Sequence, residues 1–135
     1  MPALLATLAI PVDRECLRYA LEALTAIDCA ILASHIGEDF PDLYDAGIHY
    51  AMPGKRRWLN VAELQVTRKG DCKDLACARA AELRVRYGEH AFAVPIPGCD
   101  PEAEDCNTIH VVVERGDGSI EDPSRLLGMG DHHVR

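Results

Sequence analysis

A chain of 135 residues, 48% hydrophobic and 27% charged, is long enough to bury a core as one domain over residues 1–135 without metal or disulfide staples. No apolar run approaches the roughly 18 residues of a membrane span. A net charge of −8 argues against a nucleic-acid binder, which needs a dominant basic face.

The opening stretch MPALLATLAIP lacks the basic n-region and long apolar region of a signal peptide, so cytoplasmic synthesis is expected. Residues 3–10 read as a strand. Pro11-Val12-Asp13 then reads as a helix start with Asp13 as N-cap. Leu17, Leu21, Leu24, Ile27 and Ile31 recur at three- and four-residue steps, which predicts a helix to about Ser34 with that face buried. The turn-rich GEDFPDLYDAG follows and ends in an extended run, IHYAM, broken at Pro53-Gly54. LNVAELQV reads as a short helix that delivers the chain to an Arg-Lys-Gly-Asp turn at 68–71.

Charge is unevenly spread, at −6 for residues 1–54, +5 for 55–86 and −7 for 87–135. The basic residues of KRRW at 55–58 and of Arg68-Lys69 read as a solvated face. A helix is predicted from about Cys72 to Arg86, with Cys72, Ala76, Ala80, Leu83 and Tyr87 on one stripe and Gly88 as its stop. AFAVPI and TIHVVVER read as strands, GDG at 116–118 as a hairpin turn, and SIED as the returning strand. Helix, helix, then antiparallel sheet gives an α+β class.

Six cysteines do not require a disulfide framework in a chain of this size. Cys16, Cys29 and Cys77 fall in helical patterns and read as small core or boundary residues. Cys99 and Cys106 share the acidic, aperiodic loop from Gly98 to Asn107, which reads as a partial cover over the site, and could pair if oxidised. With no CxxC pair and no second histidine at ligand spacing near His110, neither metal nor cofactor is expected. His132 and His133 lie in a polar tail and read as non-catalytic.

Cys72 is the exception among the thiols. At the first turn of a helix it faces unpaired backbone amides and the positive end of the helix dipole, which favour thiolate and suit a nucleophile. A nucleophile needs a base and an orienter. The turn at Asp117 places His110 and Asp122 on adjacent strands in near-register, within hydrogen-bonding reach.

GDCKDLACARAAEL, then IHVVVE, then EDPS resembles the transglutaminase-like superfamily of papain-like cysteine enzymes, over roughly residues 58–126. The upstream LYDAGIHYAM and a Trp ahead of the cysteine are similar to short members found among bacteriophage proteins. The resemblance implies a papain-like core with Cys72 as nucleophile, His110 as base and Asp122 as orienter. It also implies an oxyanion site combining the Cys72 amide with an upstream side chain, for which Trp58 and Gln65 are the candidates. Many members carry an aromatic two residues after the histidine, where this chain has Val112. Three functions follow from this reading. One is an amide hydrolase acting on a peptide or peptidoglycan crosslink. The second is an acyltransferase that crosslinks proteins, and the third is a non-enzymatic component of a phage particle or its assembly. The first is the expected one.

Overall fold

The computed structural model describes residues 14–35, 40–52, 57–98 and 109–130. The expected strand over 3–10, the Asp13 cap, the Pro53-Gly54 break, Cys99, Cys106 and the His132-His133 tail lie outside the described residues, as does most of the loop after Gly98.

The architecture is α+β. Helix α1 (Arg14–Ser34) leads through a single 3-10 turn (Leu43–Asp45) to β1 (His49–Tyr50) and α2 (Val61–Thr67), followed by β2 (Lys69–Gly70) and α3 (Cys72–Tyr87). Strands β3 (Phe92–Pro97), β4 (Ile109–Glu114) and β5 (Ile120–Glu121) form an antiparallel sheet in that spatial order, and α4 (Pro123–Leu126) closes the described chain. A feature the sequence did not suggest is a separate parallel pair, β1 with β2, in which Tyr50 lies opposite Gly70.

Helix α3 is the central element. Its N-terminus is set by a capping box, in which the Asp71 carboxylate accepts from the Asp74 amide and the Asp74 carboxylate accepts from the Asp71 amide. Gly88 ends it in the left-handed conformation, φ 64°, with its amide on the Leu83 carbonyl. Between these ends the helix is buried on more than one face. Ala76, Cys77, Ala80 and Leu83 join Leu21, Leu24, Ala93, Val111 and Val113 in one apolar cluster. Leu75, Ala78 and Ala81 join Leu32, Leu43, Ile48, Val61 and Leu64 in another. Four alanines among these positions allow close approach on both sides. The expected single stripe is thus too narrow, and its last member, Tyr87, is exposed and donates its hydroxyl to Asp42 instead.

Helix α1 is also rotated from expectation. Ile27 is 51% exposed, whereas Asp28 is fully buried beside Leu21, Leu24 and Leu32. The reason is a long-range hydrogen bond, since the Asp28 carboxylate accepts from the Val61 amide (2.8 Å) at the start of α2. An acid that satisfies an orphan helix-start donor takes the inward position from an isoleucine.

Strand β5 is anchored to α3 by a network of charges. Arg79 donates to Glu121 (2.7 Å) and Glu82 (2.6 Å), its guanidinium lies 4.8 Å over the Tyr44 ring, and the Tyr44 hydroxyl donates to the same Glu121 oxygen (2.5 Å). Glu82 also accepts from the Leu43 amide, and Arg115 bridges Glu121 to Glu89. These contacts fix the height at which β5 leaves the sheet, and with it the position of the next residue, Asp122.

Candidate active site

The peptide before Cys72 is held tightly. A Cβ placed on Gly70 would lie 2.5 Å from Leu64 Cδ2 and 3.2 Å from Asp74 Cβ, so only glycine lets β2 run this close to α2 and α3. The Ala51 amide donates to the Gly70 carbonyl, which seats β1 beside the same turn. Asp71 then caps the helix, and Cys72 is its first residue. The amides of Cys72 and Lys73 therefore lack intrahelical carbonyl partners. Asp71 does not point at the thiol as an unshielded charge, because its carboxylate is bound by the capping amide and by the Lys73 ammonium.

His110 lies on β4 opposite Ile96 of β3 and is 5% exposed. The turn expected at Gly-Asp-Gly is present, with the Arg115 amide on the Ser119 carbonyl and the Gly118 amide on the Arg115 carbonyl. Pairing stops at Glu121, which lies opposite Val113. Asp122 is therefore not the last residue of the returning strand but the N-cap of α4, its Oδ1 accepting from the Arg125 amide at 3.4 Å. The register sets it diagonally across from His110. Its second oxygen spans the gap, with Oδ2 2.8 Å from His110 Nε2. Proline at the first position of α4 fixes the turn that aims it.

With Asp122 on Nε2, the Cys72 thiol is the second polar group that acts on the same imidazole. Burial disfavours the imidazolium, but its interactions with Asp122, which accepts from it, and with Cys72 outweigh burial and push the His110 pKa up to about 9. Below that pH the ring is charged. Thiol, imidazole and carboxylate thus come from the start of α3, from β4 and from the start of α4.

The two oxyanion candidates separate. Trp58 borders the apolar cluster that Cys72 also borders, with the Lys73 ammonium 5.5 Å over its ring. Gln65 is engaged elsewhere, its amide donating to the Pro41 carbonyl at 3.3 Å. Tyr50, which the motif reading did not single out, lies near Cys72. Burial raises its pKa, and charges on Cys72 and Asp71 add to the rise. Its amide donates to the Leu127 carbonyl, so β1 joins the turn before Cys72 to the end of α4. The sequence carried only an indirect signal for it, an aromatic inside the extended run IHYAM.

Beneath the site lie two buried carboxyls. Asp74 accepts from the Leu59 amide (2.8 Å) and Asp28 from the Val61 amide, so both hold the segment that follows Trp58. Burial pushes each pKa up to about 7. The Asp71 charge adds to the rise at Asp74, and Asp74 adds to it at Asp28. A shallow groove of about 410 Å3 is lined by Asp122 together with Arg115, Ser119, Ile120, Arg125 and Leu126 among others. Among the described residues no cluster of three or more His, Cys, Asp or Glu is arranged to hold a metal ion, and no helix is long and apolar enough to cross a membrane.

Comparison of the chain with protein-family models, with curated proteins and with solved structures finds no match.

Proposed function

We propose that the chain is a thiol-dependent amide hydrolase on a transglutaminase-like, papain-like core. Its substrate is a peptide or peptidoglycan crosslink, and Cys72 is the nucleophile, His110 the acid and base, and Asp122 the orienter. The observation that carries this reading is His110 itself, a buried imidazole 2.8 Å from the Asp122 carboxylate whose charged form the Cys72 thiol also favours. A histidine placed for packing alone gains nothing from a thiol at a helix start and a carboxylate aimed at its ring.

The chemistry follows from the pairing. With the proton on His110, the Cys72 sulfur attacks the substrate carbonyl carbon, and the oxygen takes up negative charge. The Cys72 amide, at the start of α3, is placed to receive that oxygen, with the upstream Trp58 as the side-chain candidate. As the carbon–nitrogen bond breaks, His110 gives its proton to the departing amine and leaves a thioester on Cys72. His110 then takes a proton from water as the water attacks the thioester carbon. The carboxylic acid leaves, and the proton returns to the thiolate–imidazole pair. Asp122 holds the ring through both steps and steadies its charged form.

The test is incubation with glutamine-containing peptides and peptidoglycan crosslink peptides, each with a labelled primary amine present, read by mass spectrometry. Conversion of the amide to the acid, lost in Cys72→Ser, supports hydrolysis. Incorporation of the amine at the same carbon assigns the chain to acyl transfer through the same thioester. If no substrate is changed and no thioester on Cys72 is trapped, the scaffold serves interaction and the enzymatic reading fails.

A further inference from the structure

Asp122 carries more than one positive partner. The oxygen that receives His110, Oδ2, also lies 3.5 Å from Arg125 Nε, and Arg125 donates its backbone amide to the other oxygen, Oδ1. One residue therefore grips both oxygens of the carboxylate, through its backbone on one side and its guanidinium on the other. The geometry is built by the short helix α4, whose i,i+3 spacing returns Arg125 over its own N-cap.

We propose that Arg125 is a positioning residue of this site that acts through Asp122, its guanidinium dividing the carboxylate's negative charge with the His110 imidazole. The inference rests on the triad reading for its catalytic meaning, but the contact it describes does not depend on turnover. The groups facing His110 are Asp122 from the β5–α4 junction and Cys72 from α3. Lys73 and Asp71 form a neutral pair beside Cys72, and Tyr50 lies near the thiol from β1. Arg125 is the cation that shares His110's own carboxylate oxygen. Without it, the full charge of Asp122 would serve the imidazolium, holding the proton more firmly and making it a poorer acid toward a leaving amine. Arg125 thus sets the imidazole closer to the pH at which it has to exchange protons. The side chain is 41% exposed, so solvent limits the effect to a modest size.

The experiment is an NMR titration of the His110 ring in the wild type, Arg125→Met and Arg125→Glu, with the ring signal assigned by its loss in His110→Gln. Two charges that share one oxygen shift one another by roughly half a pH unit even where the medium is largely water. Arg125→Met is expected to raise the His110 midpoint by about that amount, and Arg125→Glu by roughly twice as much. A His110 midpoint that is the same in all three proteins overturns the inference. So does a downward shift, which would mean that Arg125 supports the imidazolium instead of competing with it. The titration uses no substrate, so a protein found to lack amide chemistry would still report on Arg125. Loss of the shift would in turn leave the hydrolase reading to its own test.

Discussion

Replacing Asp28 with Asn changes how stability depends on pH more than it changes stability at any one pH. The folded protein holds this carboxyl at a pKa of about 7 against an ordinary 3.8, chiefly through burial. Between those values the folded state binds more protons than the unfolded one, so the wild type loses stability as pH rises across that window and levels off above it. A displacement of this size corresponds to roughly 4 kcal/mol once the window has been crossed. Asparagine keeps an oxygen for the Val61 amide and puts its NH2 where Oδ2 now sits without a partner, a fixed cost of about 1–3 kcal/mol at every pH. Asp74 titrates in both proteins and largely cancels in the comparison. Urea denaturation followed by far-UV circular dichroism from pH 4 to 8 reads the difference. The variant is expected to be the less stable protein at pH 4 and to gain on the wild type by several kcal/mol by pH 8. Stability curves that run parallel over the whole range would refute the assignment of a buried, proton-holding carboxyl at position 28.

Three further outcomes follow from the structure. Gly70→Ala is expected to lose about 1–3 kcal/mol in urea denaturation, because the new methyl meets Leu64 Cδ2 at 2.5 Å in a packed corner between α2 and α3. Arg79→Met is expected to cost roughly 3–5 kcal/mol at pH 7, since it leaves Glu82 and Glu121 without their shared cation; thermal denaturation reads it, and acid pH should reduce the loss. Asp122→Asn should lower the His110 pKa from about 9 toward its ordinary 6.5. A raised histidine pKa contributes stability that is full below 6.5 and lost as pH rises through 9, so this variant should be destabilised at pH 6 and nearly unaffected at pH 10 in the same denaturation assay.

The candidate triad was legible because each member is announced by local chemistry. A Gly-Asp pair before a helical run marks a helix start at Cys72, and a Gly-Asp-Gly turn between β-branched runs fixes which residues can face each other across a hairpin. The α+β class followed from the same periodicities. What was not legible depends on contacts between distant residues. Periodicity alone turns Ile27 inward and Asp28 outward, and only the bond from Asp28 to Val61 reverses them. The β1–β2 pair joins residues 49 and 69 through strands of two residues each, too short to carry an alternating pattern. Glu121 reads as a surface acid of a hairpin until Tyr44 and Arg79 are seen to converge on it. Asp122 as a helix cap is half visible in the Asp-Pro that opens α4, but the same residues equally suit the end of the returning strand.

The proposed role of Cys72 requires that His110 set it apart from the other thiols, a difference that limiting alkylation reads. Cys77 is fully buried with its S–H donating to the Leu21 carbonyl, and burial raises the pKa of Cys29, so neither should compete. Peptide mapping after brief treatment with iodoacetamide at pH 7 is expected to find Cys72 modified first among the six cysteines, and His110→Ala is expected to slow that reaction while leaving the other thiols at their wild-type rates. Modification of Cys99 or Cys106 ahead of Cys72, or a Cys72 rate indifferent to the loss of His110, would contradict that role and make Cys72 a packed thiol at the start of a helix.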